Sequence, residues 1–297
     1  MTLSQFLKPS LIAAFLFCTP MLSAQQEVEI KTQKLSDTLY VLFGQGGNIG
    51  VSAGEDGVYI IDDQFAELTD KIKAAISEIS DKPIKFVINT HWHFDHTGGN
   101  ENFGKTDSTI IAHDNVYKRM KGGGYVQAAD QNFEPAPKDA LPVITFNDTL
   151  TLHLNNEEAR VFHVKNAHTD GDGVIWFEKS NVIHMGDTFF NGVYPFIDHD
   201  SDGSLNGIIA AADMVLNMID DGTQVIPGHG PVTDKAGLKA YRDMCVAIKE
   251  AVQKMKQDGM SVEEIIAANP SADFDENWNA WGTIWKNRFI AAVYDDV

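Results

Sequence analysis

The stretch NTHWHFDHTGGN, residues 89–100, decides how the rest of the chain is read. It sets His91, His93, Asp95 and His96 within six positions, directly after an apolar run and just before a Gly-Gly pair. Alternate residues of an extended segment point the same way, so His91 and His93 can share one metal ion, while the turn redirects Asp95 and His96 toward a second. Clustering three imidazoles with no cation between them is costly, because each ring nitrogen withdrawn from water needs a partner. A two-metal site is the expectation.

Working outward, residues 84–89, IKFVIN, read as a short strand buried on both faces, so that His91 emerges from its carboxyl end. Upstream, TLYVLFG, NIGVSAG and GVYIIDD between 38 and 63 read as consecutive strands broken by glycine-rich turns. The GQGGNIG segment at 44–50 is a hairpin on this reading, since it lacks the lysine and the strand-to-helix setting of a phosphate loop. Residues 66–80 space Leu68, Ile72, Ile76 and Ile79 as one face of an amphipathic helix. Downstream, strands are expected near 149–154, 159–165, 173–178 and 181–184, then a helix over 205–219 and a strand in GTQVIP. A long helix over 234–256 follows, and SVEEIIAA and the Trp-rich tail add small helices. Strands followed by a helix, twice over, predict a mixed α/β fold.

Residues 1–24 differ in character. Lys8 is their only charge, residues 11–17 are an apolar run, and Leu22-Ser23-Ala24 precedes Gln25-Gln26. That is the pattern of a signal peptide, with one domain over 25–297 and a periplasmic or secreted destination. The run is far shorter than the ~20 residues of a membrane span, and no membrane-spanning segment is expected elsewhere. Loss of the signal removes Cys18 and leaves Cys245 on a helical apolar stripe with Leu238, Tyr241, Ile248 and Val252, where it reads as packing. The net charge of −19, with no basic cluster, argues against nucleic acid as a partner and for a small-molecule substrate.

The HxHxDH pattern at 91–96 resembles that of the metallo-β-lactamase superfamily, and the three further ligands that resemblance requires are present in order. His168 lies in NAHTDGD, Asp187 in HMGDTFF and His229 in IPGHGPV, each after an expected strand. The resemblance implies a four-layer αββα sandwich holding two zinc ions. His91, His93 and His168 would hold the first, Asp95, His96 and His229 the second, and Asp187 would contact the second and bridge both. Two such ions pull the pKa of a shared water toward ~7, which supplies a hydroxide nucleophile at neutral pH, with Asp95 placed to orient the water or pass a proton. GxSxG is absent, and no serine or cysteine nucleophile is needed.

The resemblance also frames the substrate. Asp187 stands where the best-known zinc β-lactamases carry a cysteine, and Phe190 where they place a lysine for the β-lactam carboxylate. An all His/Asp ligand set is closer to lactonases and thioesterases, and to the iron-dependent sulfur dioxygenases of the same superfamily, which form the alternative reading. Phe189, Phe190, Tyr194 and Phe196 suggest an aromatic wall beside the metals, with Tyr194 and Asn191 expected to reach the pocket and assist an oxyanion. Asp62 is expected to orient His91 or His93. His113, His153, His163 and His184 read as structural. The run DHDSDG at 198–203 has Ile209 rather than glutamate at the twelfth position of a calcium loop, so it reads as a solvated acidic turn before a Ser204-capped helix.

Overall fold

The computed structural model describes residues 28–126 and 130–297. The expected signal segment lies outside the described residues. β1 (Lys31–Lys34), β2 (Leu39–Phe43), β3 (Ile49–Gly54) and β4 (Gly57–Ile61) form an antiparallel meander, and α1 (Thr69–Ser77) crosses back to β5 (Ile84–Ile88). The short helices α2 (Phe94–Thr97) and α3 (Asn100–Gly104) lead to β6 (Thr109–His113). α4 (Asp114–Gly122) and a small hairpin of β7 (Gly124–Val126) and β8 (Gln131–Phe133) lead to β9 (Ile144–Phe146). The first sheet runs β1-β2-β3-β4-β5-β6-β9 and is parallel from β4 onward.

The second sheet comprises β10 (Thr149–Leu154), β11 (Glu157–His163), β12 (Gly173–Phe177) and β13 (Val182–His184), all antiparallel, and then α5 (Leu205–Met218) returns the chain to β14 (Gln224–Ile226), parallel to β13. β11 begins two residues earlier than its apolar pattern suggests. Asn155 and Asn156 both take positive φ, 56° and 55°, and close a two-residue hairpin that fixes the register with β10. Residues 164–172 are thereby released as a loop. α6 (Lys235–Gln257), α7 (Val262–Ala268), α8 (Asp275–Trp278) and α9 (Thr283–Asp296) complete the chain.

Period-two burial generates the layers. In β4, Val58 and Ile60 pack outward on Leu68, Ile72 and Ile76 beside α1, whereas Tyr59 and Ile61 face the second sheet. In β12 and β13, Ile175 and Val182 face the first sheet, whereas Val174 and Ile183 pack on α5, α6 and α9. Three cores separating helix, sheet, sheet and helix give the αββα sandwich. Cys245 is buried in the third of these cores, as its stripe predicts. Among the described residues no helix is long and apolar enough to cross a membrane.

Strand direction then places the chemistry. Asp62 follows β4, His91 follows β5, Asp187 follows β13 and His229 follows β14. The carboxyl ends of parallel strands are where α/β sheets leave a crevice, because the chain turns there without covering the sheet edge.

Candidate metal centre

The HxHxDH segment leaves β5, runs extended to His93 (φ −65°, ψ 147°) and turns into α2, which carries Asp95 and His96. The loop after β11 brings His168, and the turns after β13 and β14 bring Asp187 and His229. Donor atoms of these residues converge in three overlapping groups, His91/His93/His168, His91/His96/Asp187 and Asp95/His96/His229, each within 4.8 Å. Asp187 sits between them. Its Oδ2 lies 3.6 Å from His168 Nε2, 3.8 Å from His91 Nε2 and 3.4 Å from His229 Nε2, and its Oδ1 lies 3.1 Å from His96 Nε2. All seven residues named from the sequence are thus brought together.

Four of the five rings are held by the nitrogen that faces away. His168 Nδ1 donates to Phe196 O at 2.8 Å, His93 Nε2 to Asp198 Oδ2 at 2.9 Å, and His96 Nδ1 to Asp62 Oδ2 at 2.7 Å. His91 Nδ1 lies 3.0 Å from Thr90 Oγ1, whose own proton goes to Asp62 Oδ2 at 2.7 Å. A neutral imidazole has one N–H, so anchoring it outward turns the other nitrogen's lone pair inward. His93 Nδ1 and His168 Nε2 then face each other at 2.8 Å as two acceptors. His91 Nε2 is buried with no hydrogen-bond partner. Two lone pairs at that separation and a third beside them require a cation, and the nitrogen and oxygen donors suit a borderline transition metal.

The electrostatics agree. Burial pushes His168 down to about 4 and His91 well below the ordinary histidine value, the latter helped by the charge of His96. Burial alone would raise the Asp95 carboxyl, but His96 and His229 outweigh it and hold it at about 2. Asp187 is held far below the carboxylate range against its burial by His96, His229 and His91. Burial opposes the charge on His229, yet Asp187 and Asp95 lift it to about 9. Fixed anions among imidazoles are a charge pattern that a metal ion completes, with release of the protons that otherwise balance it.

Above this floor lies a cavity of about 270 Å³, reached by His93, Asp95, Asp187 and His229 and walled by Phe65, Phe94, Phe133, Phe190, Phe196, Trp281 and Trp285, with Arg288 at one side. Phe190 and Phe196 belong to the wall as expected. Phe189 instead packs on Tyr241, 4.9 Å between centroids. Tyr194 is also a correction. It is fully buried, its hydroxyl donates to Asp275 Oδ1 at 2.8 Å, and its carbonyl accepts from Trp285 Nε1 at 2.8 Å, so it ties the C-terminal segment down and does not face the metals. Asn191 likewise does not line the cavity. Its side chain donates to Pro231 O at 2.8 Å and its backbone N–H to His229 O at 2.9 Å, which braces the turn that carries His229.

Asp62 orients a ligand, but the ring it grips is His96, and His91 is reached only through Thr90. It does so from a left-handed backbone (φ 63°), a conformation costly for a non-glycine residue that points the carboxylate back under the HxHxDH loop. The acidic run at 198–203 is not merely solvated: Asp198 is fully buried and holds His93, while Ser204 caps α5 as expected. The 44–48 hairpin loop also does more than turn. A Cβ at Gly47 would overlap the His96 imidazole, so that position must be glycine for the loop to close over the site. His113, His163 and His184 have backbone partners and read as structural, His113 and His163 stacking 3.9 Å apart.

The fold and this centre define a class. The family model for the Metallo-beta-lactamase superfamily matches residues 43–238, and the chain belongs to that superfamily. Among its relatives, Metallo-beta-lactamase type 2 of Elizabethkingia meningoseptica is 24% identical over 250 residues, 78% of this chain and 90% of the relative. Hydroxyacylglutathione hydrolase of Pelagibacter ubique is 30% identical over 124 residues, 40% of this chain and 43% of the relative. Among solved structures, the stereoselective inverting sec-alkylsulfatase Pisa1 from Pseudomonas sp. shares the fold with a TM-score of 0.67 at 16% identity, over 90% of this chain, which spans half of that protein's length.

Proposed function

We propose that the chain is an exported hydrolase that holds two zinc ions and opens an ester, lactone or amide bond, β-lactams included. The observation that carries this reading is the opposed pair of bare ring nitrogens on His93 and His168, with the unpartnered His91 Nε2 beside them. His91, His93 and His168 would hold one ion and Asp95, His96 and His229 the other, with Asp187 between. The bound pair would polarise a scissile carbonyl and bring the pKa of water toward ~7.

The chain's own residues supply the rest. Asp95 is the most exposed of the carboxylates, 22% at its side chain, and opens into the cavity. Held ionised, it is placed to accept a hydrogen bond from an attacking water and fix its direction. Asp62, Thr90 and Asp198 keep the rings from rotating, and the aromatic wall excludes bulk solvent. Phe190 stacks flat on His229, with centroids 5.4 Å apart and planes 9° apart. It contributes an apolar face where specialised zinc β-lactamases place a cation, which favours lactone, ester or thioester substrates over efficient β-lactam turnover. The partial likeness to a hydroxyacylglutathione hydrolase supports the same direction, and the signal-like residues 1–24 support export.

The test is metal content by plasma mass spectrometry on the purified mature chain, together with ester, lactone, thioester and β-lactam panels before and after chelation. Two zinc ions per chain and loss of at least ~100-fold in turnover on chelation, restored by zinc, are expected, because the metals supply both nucleophile and electrophile. Chelator-resistant turnover overturns the reading. Bound iron with oxygen uptake would replace it by the dioxygenase alternative, which the all nitrogen and oxygen donor set admits.

A further inference from the structure

The family match ends at residue 238, yet a large part of the cavity wall comes from beyond it. Trp285 and Arg288, three residues apart on α9, present their side chains to one face of that helix, and Trp281 joins them from the turn before it; all three line the cavity. Trp285 Nε1 donates to Tyr194 O at 2.8 Å, and Lys286 Nζ meets Asp275 Oδ2 at 2.8 Å, so the first turn of α9 is tied to the segments before it.

Arg288 is the one cationic side chain other than histidine in the cavity lining, and among the described residues it has no hydrogen-bond or ion-pair partner. Arg119 is clasped by Asp170 and Asp202, Arg242 by Asp213 and Asp243, and Lys286 by Asp275, in a chain with 42 acidic and 23 basic residues. A planar guanidinium has five donors in a fork that matches a carboxylate or another oxyanion. Here the fork is left free in the lining of an aromatic chamber that the metal floor also lines.

We infer that this C-terminal segment selects the substrate: an amphiphilic anion whose apolar body lies on Trp281 and Trp285 and whose oxyanion end, a carboxylate in the first instance, pairs with Arg288. The inference deepens the hydrolase reading by naming the substrate class. It gives the two faces of the cavity separate tasks, bond cleavage at the floor and recognition at the wall. An apolar acyl or aryl portion of several carbons fits between them, with the scissile bond at one end and the charge at the other.

The experiment uses the metal-loaded protein as purified and two matched pairs of probes. Binding of 4-phenylbutyrate and of its uncharged amide is measured by calorimetry, and turnover is measured with 4-nitrophenyl esters of equal chain length that end in a carboxylate or in a methyl group. The carboxylate member is expected to be preferred about two- to fivefold in the native chain, the range of an ion pair at an exposed site. Arg288→Gln is expected to abolish that ratio. Arg288→Glu is expected to reverse it toward an ester ending in a trimethylammonium group, an outcome that a merely structural arginine would not produce. Trp281→Ala is expected to weaken both members of each pair alike. A carboxylate preference that survives in Arg288→Gln, or a native chain that prefers the uncharged member, overturns the inference. If no member of the ester, lactone, thioester and β-lactam panels is turned over, the hydrolase reading fails while the calorimetric ratios still decide the role of Arg288.

Discussion

His93 and Trp285 line the same cavity and are held there in different ways. His93 stands just past a buried strand end, and its outward nitrogen is fixed by Asp198, a carboxylate that is itself fully buried and held at about 2, against its own burial, by the His93 hydrogen bond and charge. Trp285 rides on a terminal helix, where its Nε1 donates to the Tyr194 carbonyl and its ring packs on Phe196 and Trp281, with centroids 5.5 Å and 4.6 Å away. On the metal side the positions are set by strand direction and by buried charge, so a small error there leaves an uncompensated ion. On the aromatic side they are set by docking, and an error there shifts a wall. The floor is therefore sensitive in metal affinity, and the wall in substrate preference and local stability.

The largest effect should come from the buried carboxylates under the floor. Asp62→Asn removes the acceptor that serves both His96 and Thr90, and it should lower metal affinity or turnover by roughly 10- to 100-fold, the usual cost of losing a group that orients a metal ligand. A competition titration with a chromogenic chelator, with circular dichroism to confirm folding, measures this. A variant that binds metal as tightly as the native chain would erase the contrast between the two sides.

A smaller effect is expected on the wall. Tyr194→Phe removes the hydroxyl that meets Asp275 and should cost about 1–2 kcal/mol, since the half-buried Asp275 carboxylate loses a donor. At this chain length that corresponds to a fall in Tm of about 2–8 °C. Metal content should be that of the native chain, whereas loss of metal in this variant would mean that Tyr194 reaches the centre after all.

The smallest effect concerns the far end of α9, where His199 Nε2 pairs with Asp296 Oδ1 at 3.1 Å. The hydrogen bond to Asp296 raises the imidazole above its ordinary value, outweighing partial burial. A histidine raised by folding stabilises fully below its unfolded pKa of about 6.5, and that stabilisation disappears as pH rises through the folded value. His199→Gln should therefore lower Tm by a degree or so at pH 5.5 and by nothing measurable at pH 9, the small size reflecting solvent screening of an exposed pair. An equal loss at both pH values would assign the contact to packing alone.

Much of the floor is legible in the sequence because its ligands fall at strand ends, and a strand leaves a local signature that ends where the ligand begins. The spacing of His91, His93, Asp95 and His96, and the single ligands after three later strands, follow from that. The partners of those ligands do not. Asp62 was expected to serve His91 or His93, but it is the left-handed turn at its own backbone that sends it to His96. Asp198 reads as one of several acidic residues in a turn, and only the fold brings it against a ring more than a hundred positions earlier. Tyr194 sits in an aromatic stretch where Phe190 and Phe196 face the cavity, and nothing in that stretch announces that Asp275 will claim its hydroxyl. Trp285 and Arg288 show a helical spacing, but helical spacing alone does not say which surface the helix covers, nor that Trp281 joins them from the turn before it.

Thr90 carries the last consequence. Its hydroxyl takes the proton of one ligand ring and gives its own to the carboxylate that steadies another, so the two seats share a brace only one atom wide. The orientations of His91 and His96 are therefore set together, and a rotation of either ring is felt at the other through that oxygen.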